Sequence, residues 1–347
     1  MPDNVYAYPK CLFLHKRLYV VSGGLYTGNF DASTRKDYAK IYISSPSFDS
    51  WTVLTTPTYY YGLGSFHSKV VLIGGHEISN GRMTNKLWTR DEELGWQTYL
   101  PPMLKKRTHA IAANSTIAED RECLVVAGGT DEEDDPVHVV EILVANQWSV
   151  LTKLPHGEFF PCSFILIKNS WYLFERSEER NSQNLTFCKL DLLLADHIKP
   201  PVGEKTTLES NDAELESIEV ESNDAESDTQ SQTSDESSYH DGDINLWSSF
   251  WIDLKRYVPA LCGQQLVATG MAENNDDSED TFPAAINIIS LAGEKIIKLR
   301  ETPDAIALSQ HAAIGLPNGE LVILGGQHED FGVYTRKVFK ASLSSEK

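Results

Sequence analysis

The side chains that could do chemistry in this 347-residue chain are either scattered ligands and nucleophiles or clustered carboxylates. Ten histidines and five cysteines are present. Metal centres and His-activated nucleophiles draw on short, fixed spacings of such groups. No HExxH occurs, and Cys11, Cys123, Cys162, Cys188 and Cys262 are odd in number, widely spaced and never in a CxxC pair. Neither a disulfide framework nor a metal or cofactor site is expected. The stretch "DGDINLW" from Asp241 begins like a calcium loop, but Leu246 stands where the glycine is needed and Ile252 where the closing Glu is needed. GxSxG, P-loop and GxGxxG patterns are absent. The carboxylates, by contrast, recur in groups: Asp131, Glu132, Glu133, Asp134 and Asp135; Glu178 and Glu179; Asp276, Asp277, Glu279 and Asp280; Glu329 and Asp330. Grouped in space, they would create a negative potential able to steer a basic partner; isolated, they would be ordinary solvated loops.

Net charge limits the partners. The formal charge is −20, which disfavours nucleic acid and anionic membranes. Much of it is local: residues 204–243 carry eight Glu, six Asp and one Lys, and "ESNDAE" occurs there twice, twelve residues apart. This composition cannot bury enough apolar surface to offset the entropy of ordering, so a disordered acidic insertion is expected. The N-terminal stretch lacks the basic and apolar regions of a signal peptide, and no apolar run approaches the roughly 18 residues of a spanning helix. A soluble, cytoplasmic monomer with reduced thiols is the expectation.

The elements that must position these groups come in repeats. Six apolar segments, "LYVVSGG", "VVLIGG", "LVVAGG", "WYLFER", "LVATGM" and "LVILGG", end at residues 24, 75, 129, 176, 271 and 326. Their spacings are 51, 54, 47, 95 and 55 residues, and removing 204–243 brings the long one to about 55. Each unit reads as four short strands rich in β-branched and aromatic residues, separated by turn chemistry; in the third they are "RTHAIAAN", "ECLVVAGG", "VHVVEILVA" and "QWSVLTKLP". No sustained 3.6-residue apolar period with caps appears, so the chain should be nearly all β.

A diglycine closing an apolar strand, a large apolar residue in the next strand and a Trp opening the fourth, repeated at this period, resembles the kelch repeat. The residues concerned are Gly23 and Gly24 with Tyr42 and Trp51, Gly74 and Gly75 with Trp88 and Trp96, Gly128 and Gly129 with Leu143 and Trp148, and Gly325 and Gly326. The resemblance implies an all-β fold, a six-bladed β-propeller spanning 1–347 as a single domain with the acidic insertion in its fourth blade. It also implies structural roles for these glycines and tryptophans. The fourth unit departs with Glu175 and Arg176 in place of the diglycine, the fifth has only Gly270, and the sixth lacks a Trp-led last strand, which "NVYAYP" at the N-terminus could replace.

In such a meander every loop from second to third strand leaves on one face, which gathers the four carboxylate groups into an arc. The acidic insertion follows a third strand and leaves by the opposite face. His109 and His311, in first strands, face the central channel, with a structural hydrogen-bonded role expected. The reading is a non-catalytic protein-interaction scaffold, the arc serving a basic protein partner. The alternatives are an enzyme at the channel mouth, since some kelch-like propellers are oxidases or sugar isomerases, and the substrate-recognition propeller of a ubiquitin ligase lacking its own BTB domain.

Overall fold

The computed structural model describes residues 9–21, 39–117, 121–154, 159–167, 170–177, 185–191, 247–252, 258–262, 265–271, 284–290, 295–301, 308–309, 311–325, 327–328, 333–334 and 338–342. These residues are all β: every regular element is a strand, and pairing is antiparallel throughout. No helix among them is long and apolar enough to cross a membrane.

The strands fall into successive sheets in chain order. Sheet one contains Lys10–Leu14, Arg17–Val21, Lys40–Ser44 and Trp51–Thr55; sheet two contains Gly62–Phe66, Lys69–Ile73, Leu87–Asp91 and Gly95–Gln97. Sheet three is Ile111–Ile117, Arg121–Ala127, Val139–Val144 and Gln147–Lys153. Sheet four is Phe159–Ile167, Ser170–Ser177, Leu185–Asp191 and Trp247–Ile252, and sheet five is Val258–Cys262, Gln265–Met271, Ala284–Ser290 and Lys295–Glu301. A sixth sheet has three described strands, Ala312–Gly315, Glu320–Leu324 and Val338–Ser342. The segment proposed to complete it, "NVYAYP", falls on residues 4–9 and lies outside the described residues except for Pro9.

In every sheet the strands pair in sequence order, and the first strands touch one another in the cycle one, two, three, four, five, six and back to one. Each sheet is therefore covered on both sides, which explains why second strands read "VVLI" and "LVVA" instead of alternating with polar residues. Leu72 packs towards sheet one with Val21, Ile41 and Leu63, while Val71 and Ile73 pack towards sheet three with Leu124, Val126 and Leu143. Val20 and Tyr42 of sheet one meet Ala312, Val322 and Leu324 of sheet six. All these side chains are buried, and each such aliphatic contributes about 1.5–3 kcal/mol through burial.

Three hairpins turn on two residues that both have positive φ: His15 and Lys16, His67 and Ser68, and Ala145 and Asn146. Such turns match the twist of the strands they join. In sheet four, Leu185–Asp191 pairs directly with Trp247–Ile252, from Leu185 opposite Ile252 to Leu190 opposite Trp247. The chain from 192 to 246, with the acidic residues 204–243, joins these two paired strands and lies outside the described residues. Where the diglycine is replaced, the second strand of sheet four runs on to Ser177, with Glu175 opposite Pro161 and a register shift beside it.

Candidate functional site

The face carrying the loops from second to third strands also carries the starts of the first strands, because the two ends are paired: Lys10 opposite Val21, Gly62 opposite Ile73, Ile111 opposite Ala127. On that face the carboxylates of sheet three are described in full. Asp131 folds inward on its own loop, its Oδ1 accepting from the amides of Glu133 at 2.9 Å and Asp135 at 3.1 Å. Glu132 pairs with Lys106 Nζ at 2.8 Å. Glu132, Glu133, Asp134 and Asp135 are exposed. The loop is tied to the first strand's approach by Thr108, whose Oγ1 lies 2.9 Å from Thr130 Oγ1 and whose amide donates to the Thr130 carbonyl. Glu178, Glu179, Asp276, Asp277, Glu279, Asp280, Glu329 and Asp330 lie outside the described residues, so the structure places one member of the arc.

The repeat residues have specific work. Gly74 and Gly128 have φ of 62° and 61°, Gly75 and Gly129 of 88° and 89°, and Gly325 of 61°. In that left-handed region only glycine is free of Cβ strain. Space is also lacking: a Cβ on Gly129 would run into the Thr108 carbonyl oxygen, and one on Gly75 into the Tyr59 carbonyl oxygen. Gly75 N donates to Arg107 O at 2.9 Å, so this turn joins sheet two to sheet three. Gly23, Gly24 and Gly326 lie outside the described residues. Trp96 Nε1 donates to Thr55 O at 3.0 Å and Trp148 Nε1 to Pro101 O at 2.8 Å, each tying its sheet to the preceding one. Trp51 packs against the cluster shared by sheets one and six.

A buried ion pair was not anticipated. Arg107 and Glu141 are fully buried, and Arg107 Nη2 donates to Glu141 Oε1. Arg107 Nη1 donates to the carbonyls of Gly128 and Val139, both at 3.1 Å, and Glu141 accepts from the amides of Leu104 at 2.7 Å and Lys105 at 3.2 Å. Burial lowers the Arg107 pKa, and Glu141 opposes that shift. The only sequence signal was a charged residue, Glu141, inside the apolar run "VVEILV".

Beside these lies the mouth of the strand cycle. Tyr60 and His109 occupy corresponding places before the first strands of sheets two and three, with φ of 56° and 54°. Positive φ at two such non-glycine residues is held by tertiary contacts, here including His109 N donating to Tyr60 O at 2.7 Å. Their rings stack with centroids 4.8 Å apart; Tyr60 also meets Tyr59 edge-on at 5.2 Å, and Tyr59 stacks on His76 at 5.3 Å. His109 Nδ1 lies 3.2 Å from Thr108 Oγ1. Its residue surface is open, yet burial, then the charges of Lys10 and His76, hold its pKa down at about 3. Lys10 Nζ crosses from sheet one to donate to Ala110 O at 2.9 Å. A Cβ on Gly62 would meet that same oxygen at 2.7 Å, so the missing side chain leaves the carbonyl to Lys10. His311 differs from His109: it is buried, with Nε2 2.7 Å from Thr269 Oγ1 of sheet five. Among the described residues no group of three or more His, Cys, Asp or Glu converges on a metal position, and Cys11, Cys123 and Cys262 are free thiols.

No family model matches this chain, and no curated protein does. Among solved structures, YjhT aligns over 99% of this chain and 97% of its own, with a TM-score of 0.59 at 10% sequence identity. At that identity the likeness is one of fold alone: the chain is similar to YjhT in architecture along nearly its whole length.

Proposed function

We propose that this chain is a six-bladed kelch-type β-propeller, with an acidic insertion over 204–243 in its fourth blade, acting as a cytoplasmic, non-catalytic platform for a basic protein partner. Support for the propeller comes from the closed cycle of first strands, the diglycine turns with matching φ, and the direct pairing of strands either side of 192–246. The functional reading rests on one observation. In the loop of sheet three, Glu132, Glu133, Asp134 and Asp135 are all exposed on the face that carries the starts of the first strands, around Asp131, which serves the loop's own backbone.

The test compares partner capture from cell lysate by the wild-type chain, by Glu133→Gln/Asp134→Asn/Asp135→Asn, and by a chain lacking 204–243. Each is run at about 0.1 M and 1 M salt, between which the screening length falls from about 10 to 3 Å. Capture should weaken on loop neutralisation and at high salt and survive removal of the insertion. Capture that survives neutralisation and fails only on the deletion would transfer the binding role to the insertion.

A further inference from the structure

On the face opposite the carboxylate loops, the gap between sheets one and two ends in hairpins that are described in full, and His15 Nε2, 2.7 Å from Ser68 O, joins the two. From sheet one, Tyr19 packs into this gap, and Arg17, two residues before it on the same strand, shares its side of the sheet. From sheet two, Trp88 and Trp96 pack against the same buried cluster, and Arg90 shares their side, two residues after Trp88 and directly opposite Trp96. The two arginines and the phenol therefore project into one gap from its two walls. Their donors are unused. Among the described residues no carboxylate lies within ion-pair distance of Arg17 or Arg90, and neither they nor Tyr19 make a side-chain hydrogen bond. Arg90 Nη1 and Trp88 Nε1 are shut off from water with no acceptor, a costly state for any N–H donor. Arg90 as a residue is half-buried and Arg17 is exposed, so both guanidinium groups remain open to a ligand from solvent. Burial raises the Tyr19 pKa, the charges of Arg17 and Arg90 oppose that shift, and Glu92 adds to it, so two cations and one anion act on the phenol.

We propose that this gap is a carboxylate-binding site, in which the Arg90 guanidinium receives the carboxylate from sheet two while Arg17 and the Tyr19 hydroxyl donate to it from sheet one. A guanidinium fork matches a planar carboxylate in both shape and charge, and it loses little freedom when already held between packed rings. Two arginines set against Glu92 leave one net positive charge, which suits a single carboxylate better than a dianionic phosphate. The site takes a ligand of the opposite sign from that of the carboxylate loops, on the other face of the cycle, so it stands apart from the proposed platform for a basic partner. The carboxylate belongs either to a free small acid or to an acidic side chain of a peptide segment.

The test is arginine-selective labelling of the full chain with phenylglyoxal at fixed ionic strength, with the modified arginines located by peptide mass spectrometry. Succinate and an acetylated, amidated Glu-Glu dipeptide are the probes, and inorganic phosphate and chloride are the comparisons. At a probe concentration about four times its Kd roughly one chain in five is free, so labelling of Arg17 and Arg90 should slow about fivefold while that of the exposed Arg82 stays unchanged. Stronger protection by succinate assigns a small acid as the ligand, and stronger protection by the dipeptide assigns a peptide segment. Arg17→Gln, at an exposed position that leaves the fold intact, and Tyr19→Phe should each raise the Kd read at Arg90 at least about threefold. No protection of Arg90 by either probe, equal slowing at Arg82, better protection by phosphate than by both carboxylates, or a Kd unchanged in both variants would overturn the proposal.

Discussion

Replacing Arg107 by Met removes the cation from a carboxylate that has no exposure of its own. Glu141 would retain two donors, the amides of Leu104 and Lys105, but its charge would be uncompensated, and the carbonyls of Gly128 and Val139 would each lose a donor. Removing one partner of a buried pair costs about 3–5 kcal/mol. For a chain of this size that corresponds to a fall in Tm of roughly 4–7 °C. Urea unfolding followed by tryptophan fluorescence would report the midpoint and slope together. The double substitution Arg107→Met/Glu141→Leu removes both charges, so it should be less destabilised than the sum of the single variants, with a coupling of about 2 kcal/mol or more. Single variants within about 1 kcal/mol of wild type, or a strictly additive double variant, would show that the pair is already solvated and refute the reasoning.

Gly129→Ala should cost well over the roughly 1–2 kcal/mol of left-handed strain, because its Cβ meets the Thr108 carbonyl; Gly95→Ala, at φ 75° with nothing within 4 Å, should cost only the strain, and denaturant midpoints would separate the two. His109 titrates near 6.5 when unfolded and at about 3 when folded, so the folded state binds fewer protons between these values. Wild type should therefore lose stability relative to His109→Asn as pH falls from 6.5 towards 3, with no change in their difference above 7, as thermal melts across pH would show. Replacing 204–243 by a short Gly/Ser linker should change stability by about 1 kcal/mol or less, since loop-closure entropy varies slowly with length; loss of a cooperative melt would contradict this. Exchanging Gly62 for Ala, which crowds Ala110 O, should weaken the Lys10 contact and lower the Tm without altering the far-UV spectrum.

The sequence by itself determined the all-β class and the order of the strands. Sheets covered on both sides require apolar residues at consecutive positions, so "KVVLI" and "ECLVVA" mark second strands without any knowledge of their neighbours. The diglycines were legible for a similar reason, since a backbone with positive φ pressed against a carbonyl leaves a local chemical trace. The turns at His15 and Lys16, His67 and Ser68, and Ala145 and Asn146 left no such trace: none contains glycine, and strand pairing forces the two positive φ values. Nor could sequence say which residue of Lys105, Lys106 and Arg107 is fully buried, or that Glu141 awaits it 34 residues on. Likewise Lys10 meets Ala110, and His109 stacks on Tyr60, only because the cycle of sheets brings their first strands together at one mouth. Periodicity records which faces a strand must bury, a property of neighbouring residues; a pair of residues fifty or a hundred positions apart is joined by packing between sheets, and only the tertiary structure decides that.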